Sequence, residues 1–172
     1  MNLIICGCSG SGKTTAIRRI LRHTREPIYG FWTEKLPPDG NGAAPVFIHG
    51  CTEPLCYGED HRIGSCRDRC SEKRPEIFEQ TGICYLRDIP RGSLVLMDEI
   101  GVMENHAYAF QRELFAVLDG DYRVLAAVRD RSTPLLDAVR SHPKSLCVTA
   151  AEANQPEFLQ RALRELDIAA NR

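Results

Sequence analysis

Lys13 and Thr14 are the residues with the most chemistry to offer. They close the octapeptide Gly7-Cys8-Ser9-Gly10-Ser11-Gly12-Lys13-Thr14, which fits G-x-x-x-x-G-K-[ST]. Each part of that pattern has a physical task. The glycines let backbone N–H groups wrap a chain of phosphates, and a following helix presents its positive end to the anion. Lys13 can then reach the β- and γ-phosphates, and the Thr14 hydroxyl suits Mg²⁺. Thr15 extends the candidate contact set by one residue. A second group sits at Asp98-Glu99, closing the apolar run Ser93-Leu94-Val95-Leu96-Met97. Asp98 can hold a water of the Mg²⁺ shell. Glu99 can orient or deprotonate a water that attacks the γ-phosphate. Arg129 ends another apolar run, Val124–Val128, and can neutralise γ-phosphate charge; Arg131 is a weaker candidate for the same task.

These groups need elements to hold them. Leu3–Cys6 reads as a short buried strand. Thr15–Arg22 reads as a helix with Ile17, Ile20 and Leu21 on one face, fading before Pro27. Residues 27–34 and 45–49 read as two strands, antiparallel through the Pro37–Gly42 loop. Helices are expected over residues 75–87 and 104–118, the latter with Ala107, Phe110, Leu114, Val117 and Leu118 inward. Strands follow at 93–98, 122–128 and 145–149, with Ser132 capping a helix to Ser141 and a last helix over 155–168 whose Phe158, Ala162, Leu163 and Leu166 point inward. Strands alternating with helices imply a mostly parallel sheet covered on both faces. Thr33 and Glu34 should end a strand beside the first one, near the γ-phosphate. Glu104 opens a helix, where its charge favours the dipole and needs no catalytic part; a place in the site is the other reading.

The chain has 172 residues and 43% hydrophobic composition, enough for one domain with a sizeable core. A formal charge of -1 gives no pull toward nucleic acid or an anionic membrane. No apolar run approaches the roughly 20 residues of a membrane span, and no signal peptide is evident, so a cytoplasmic setting with reduced thiols is expected.

Residues 50–74 break the pattern and read as an irregular cysteine-rich insert. Cys51, Cys56, Cys66 and Cys70 fall there with His49 and His61 nearby, and four thiols can build a structural Zn²⁺ site. Arg62, Arg67, Arg69 and Arg74 surround them, interleaved with Glu59, Asp60, Asp68 and Glu72 that cancel their charge. Cys6, Cys84 and Cys147 lie on apolar stretches and read as core.

Three stretches together resemble one family. Gly30-Phe31-Trp32-Thr33-Glu34 looks like a G-F-aromatic-T-E stretch, and Asp98-Glu99-Ile100-Gly101-Val102-Met103-Glu104 looks like a D-E-I-G-x-M-E signature. With the phosphate loop, they resemble the small nucleoside-triphosphatase family that includes cancer-related nucleoside triphosphatase. The resemblance implies a compact α/β, RecA-like P-loop fold that hydrolyses ATP, GTP and other nucleoside triphosphates slowly, with Mg²⁺. The family's T-x-x-N-R turn is altered here: Thr149 and Asn154 stand at a longer spacing and the arginine is missing. Two other readings stay open. One is a small P-loop kinase for a nucleotide or metabolite, with residues 50–74 as lid. The other is a nucleotide-dependent binding switch, whose protein partner the sequence does not name. A guanine-reading N-K-x-D motif is absent.

Overall fold

The apolar run ahead of the phosphate loop becomes an interior strand, β1 (Asn2–Gly7), paired on both edges. The computed structural model describes residues 1–67 and 70–168, with backbone alone at 70 and 71. Along the chain follow β2 (Ile28–Lys35), β3 (Ala44–Gly50), β4 (Arg62–Arg67), β5 (Cys70–Lys73), β6 (Leu94–Ile100), β7 (Arg123–Arg129) and β8 (Ser145–Thr149). They form one sheet in the order β5-β4-β3-β2-β6-β7-β1-β8. The five strands from β2 to β8 are parallel, and β3, β4 and β5 add an antiparallel wing.

Two expectations about that sheet fail. The stretch 50–74 is not irregular throughout: its second half is the β4–β5 hairpin, pairing Gly64 with Lys73 and Ser65 with Glu72. A hairpin at a sheet edge needs no sustained apolar period, so composition hid it. The strand ending in Thr33 and Glu34, β2, does not lie beside β1. β7 separates β6 from β1, and β2 lies beyond β6.

Helices cover both faces, as expected. They are α1 (Lys13–Leu21), α2 (Pro75–Gln80), α3 (Tyr108–Asp119), α4 (Pro134–Arg140), α5 (Ala150–Ala153) and α6 (Phe158–Glu165). Alternation along β1 divides its side chains between two cores. Ile4 packs with Phe31, Phe78, Phe110 and Leu114, while Leu3 and Ile5 pack with Ile17, Ile20, Phe158 and Leu163. All five inward residues expected on α3 are buried, as are the four on the last helix.

Several helices are shorter than periodicity suggests. α2 gives way to a 3₁₀ turn at Gly82–Leu86, which leaves Cys84 exposed. Another 3₁₀ turn, Met103–His106, precedes α3. Thr133, not Ser132, caps α4 by accepting from the Leu136 N–H; the Ser132 hydroxyl donates to Asp137 instead. Thr149 and Glu152 form a reciprocal capping box on α5. Among the described residues no helix is long and apolar enough to cross a membrane.

Candidate functional site

Parallel pairing brings the chemistry to one edge of the sheet. Gly7 on β1 pairs with Arg129 on β7, and Asp98 on β6 pairs with Ala127 on β7 and Trp32 on β2. The C-terminal ends of four strands are therefore level, which is where ligands of open α/β sheets sit.

The loop between β1 and α1 ends at Gly12, whose φ is +93°, a left-handed conformation that favours glycine. A Cβ there would also stand 2.9 Å from the Asn154 side-chain nitrogen. Asn154 Nδ2 donates to Gly12 O at 3.2 Å and to Ala150 O at 2.7 Å. Arg19 on α1 donates to the carbonyls of Ala153, Asn154 and Gln155. The segment after β8 is thus buttoned to the phosphate loop. Sequence reading missed both residues, because the contacts span 142 and about as many positions; the only signal was Asn154 in the altered T-x-x-N-R turn.

Lys13 is 4% exposed. Its Nζ donates to Gly7 O at 2.8 Å and Cys8 O at 2.7 Å, and meets Glu99 Oε2 at 3.0 Å. Arg129 Nε donates to the other oxygen of Glu99 at 2.7 Å. One carboxylate is thereby held between two cations. Thr14 Oγ1 donates to Asp98 Oδ1 at 3.2 Å, and Glu99 N–H donates to Thr33 Oγ1 at 3.3 Å. Burial pushes the Asp98 carboxyl above the usual range, against the Thr14 hydrogen bond and the nearby Lys13 charge. A cavity of about 260 Å³ lies over this group, lined by Ser9, Thr14, Thr33, Asp98, Glu99 and Arg129 among others. An adjoining hollow follows the loop from Ser9 through Gly10, Ser11, Gly12, Lys13 and Thr14 to Thr15. The loop, the acidic pair and Arg129 therefore meet, as their spacing implies. The two oxygens of Thr14 and Asp98 are hard donors at the mouth of this cavity, the kind of set that suits Mg²⁺.

Two other acids go against expectation. Glu34 faces the far side of the sheet: its Oε2 accepts from the Tyr57 hydroxyl at 2.9 Å and stands 3.5 Å from His49 Nε2. Its neighbours Thr33 and Lys35 line the cavity. Strand alternation allows only one of the two sets to do so.

Glu104 is not a surface acid on a helix dipole but is 2% exposed and lines the cavity. Gly101 N–H donates to its Oε1 at 3.0 Å, while Oε2 is buried with no hydrogen-bond partner. Burial pushes its carboxyl up to about 7. A folded-state value above the unfolded one means that the native protein binds the proton more tightly. Stability therefore falls as pH rises from about 4.5 through 7, by roughly 3 kcal/mol for one such group. Glu104→Gln, which carries no charge to bury, should erase that slope. The nucleotide-free variant should gain melting temperature over the parent at pH 8 but not at pH 5. A gap that stays constant across this range contradicts the account.

Two of the basic residues of 50–74 are held in ion pairs. Arg62 pairs with Glu59 and Glu72, and Arg74 with Glu59 and Glu76; Arg69 lies outside the described residues. Arg131 offers its carbonyl to Arg140 Nη2 and does not line the cavity.

The cysteines need correction too. Among the described residues, Cys51, Cys56 and Cys66 do not converge as a metal-binding trio. Cys51 is a largely buried thiol near Asp98, pushed up to about 12 by burial, and Cys66 lines the cavity. The fourth side chain, at Cys70, lies outside the described residues. Cys6 is half-buried and packs against the core, as expected, whereas Cys147 is exposed and is not core.

Comparison with known proteins gives one consistent picture. A family model described as NTPase matches residues 2–163. Nucleoside-triphosphatase THEP1 of Thermotoga sp. (strain RQ2) is 25% identical over 173 residues, covering 96% of this chain and 95% of that one. Nucleoside-triphosphatase THEP1 of Aquifex aeolicus (strain VF5) is 25% identical over 182 residues, covering 97% and 99%. The crystal structure of THEP1 from the hyperthermophile Aquifex aeolicus superposes with a TM-score of 0.73 at 24% identity, over 97% of this chain and 99% of that one.

Proposed function

The chain belongs to the NTPase family, and from that membership we propose how its residues hydrolyse a nucleoside triphosphate to diphosphate and phosphate. The observation that carries the proposal is the contact chain Lys13–Glu99–Arg129 at 3.0 and 2.7 Å, set in the cavity beside the phosphate loop. The carboxylate of Glu99 holds Lys13 at the place where a γ-phosphate would be held. When the triphosphate enters, its γ-phosphate takes over Lys13, and the Glu99 oxygen so released accepts a hydrogen bond from the attacking water. Glu99 takes the proton as the water oxygen bonds to phosphorus and the bond to the diphosphate oxygen breaks. Arg129 keeps Glu99 in orientation and adds positive charge where the transition state spreads negative charge. Thr33, through the Glu99 N–H, fixes the backbone that carries the base.

Thr14 and Asp98 would hold Mg²⁺, which neutralises charge on the phosphate oxygens. We place the protein in the cytoplasm, where the seven free cysteines described would stay reduced.

Purified protein should release inorganic phosphate from ATP and from GTP when Mg²⁺ is added, with no other acceptor present. Release only upon adding an acceptor would instead identify a kinase. For the metal shell, Asp98→Asn should lower Mg²⁺ affinity in the nucleotide complex about 10- to 100-fold, the usual effect of a group that acts on a metal through its outer shell. Thr14→Ala should raise the Mg²⁺ concentration needed for half-maximal turnover. Nucleotide affinity titrated against Mg²⁺ reads both, and an unchanged Mg²⁺ dependence in Asp98→Asn would rule out its place in that shell.

A further inference from the structure

The connection between β3 and β4 carries a convergence of side chains that hydrolysis does not use. Cys56 Sγ, one carboxylate oxygen of Asp60 and one ring nitrogen of His61 all lie within 4.8 Å of one another. His61 Nδ1 and Asp60 Oδ1 are 3.0 Å apart. We propose that Cys56, Asp60 and His61 form a binding site for a thiophilic divalent transition ion, of which Zn²⁺ fits best.

The backbone is built so that these groups can meet. Gly58, Glu59, Asp60 and His61 form a tight turn closed by His61 N–H donating to Gly58 O at 3.0 Å. The open side of Gly58 faces the donors: a Cβ built there would stand 2.5 Å from Asp60 Oδ1 and 3.5 Å from Cys56 Sγ. A side chain at 58 would push the Asp60 carboxylate from its present place while only touching the Cys56 sulfur. The turn is fixed from outside as well. Thr81 Oγ1 donates to Asp60 O at 2.7 Å, and Arg74 Nη1 donates to Glu59 O at 3.1 Å. The donors therefore sit on an anchored scaffold and have less freedom to lose on binding.

Donor chemistry selects the ion. A thiolate, an imidazole nitrogen and a carboxylate match zinc and its transition neighbours, whereas Mg²⁺ and Ca²⁺ take oxygen sets. Asp60 is 73% exposed at its side chain, which leaves a fourth coordination position open to water. On binding, the Cys56 S–H bond breaks, the sulfur bonds to the ion as thiolate, and the proton leaves to solvent. The ion then staples both ends of the segment that carries Tyr57, whose hydroxyl holds Glu34. This set differs from the four-cysteine arrangement that the sequence allows and does not depend on the proposed hydrolytic mechanism.

The test uses the full chain, reduced and stripped of metal, then titrated with Co²⁺ and with Zn²⁺. The expected results are one equivalent bound, a thiolate-to-cobalt charge-transfer band, and a rise in melting temperature of a few degrees with Zn²⁺. Cys56→Ser should lose the band; Cys51→Ser and Cys66→Ser should keep it. Asp60→Asn, an exposed change that leaves the fold intact, should weaken Co²⁺ binding by at least about tenfold. Absence of the band in the parent, or a band that survives Cys56→Ser, overturns the proposal. Unchanged affinity in Asp60→Asn removes that residue from the site and overturns the three-ligand assignment.

Discussion

Lys13→Ala loses nucleoside-triphosphate hydrolysis and binds nucleotide more weakly. The ammonium group is the one cation that the loop itself places where β- and γ-phosphates lie, and its position is over-determined by two carbonyls and a carboxylate. Pre-placed charge of this kind costs nothing to reorganise as the transition state forms. Removing a single such stabilising group lowers turnover about 10²- to 10³-fold, or roughly 2.7–4 kcal/mol. The larger expected loss here reflects a second effect. Without Lys13, Glu99 keeps only Arg129, and the carbonyls of Gly7 and Cys8 lose their shared donor, so the loop's own shape suffers. Single-turnover phosphate release and a nucleotide titration measure the two parts, with a thermal melt to show that the variant folds. Parental turnover in Lys13→Ala would remove the proposed mechanism.

Glu99→Gln should separate chemistry from binding. The amide keeps the shape and can still hydrogen-bond to water, but it takes no proton. Turnover should fall about 10²- to 10⁴-fold, the range for loss of a general base. Affinity for ATP should stay unchanged or tighten, since the carboxylate that occupies Lys13 in the empty site is gone. Asp98→Asn should instead weaken Mg²⁺-dependent binding, so the two adjacent acids give opposite patterns. If Glu99→Gln hydrolyses at the parental rate, the base lies elsewhere. Glu104 is then the carboxylate to test, because Glu34 faces the other side of the sheet.

What the sequence reveals here is what is local. The phosphate loop, its flanking strand and its helix are contiguous, and their composition reports directly on their geometry. The inward set on α3 is equally clear, since a buried face repeats at a fixed period. Strand order is not local. That β7 lies between β6 and β1 depends on which strands pair over long separations, and no single strand's pattern encodes its neighbours. The β4–β5 wing escaped because its residues are polar and cysteine-rich, as an edge permits. Glu104 stayed ambiguous for another reason: an acid near a helix start has an ordinary explanation, and only packing shows that it sits at 2% exposure beside the cavity. Asn154 and Arg19 act through carbonyls at opposite ends of the chain, where residue type alone carries no directional information.

The carboxylate clasped between Lys13 and Arg129 has a consequence for how a catalytic cycle closes. An anion tethered to the protein competes at a fixed, high effective concentration with any anion in solution. Chloride or a lone carboxylate brings too little charge to win that contest, whereas a triphosphate chain brings several charges and the whole loop's N–H groups besides. The clasp is thus a threshold on valence. Once the bond is cut, the leaving phosphate no longer shares the loop's grip on the chain; Glu99 gives up the proton it took to the departing phosphate or to solvent and, a carboxylate again, recaptures Lys13 behind it. Expulsion of product and rearming of the site become the same event.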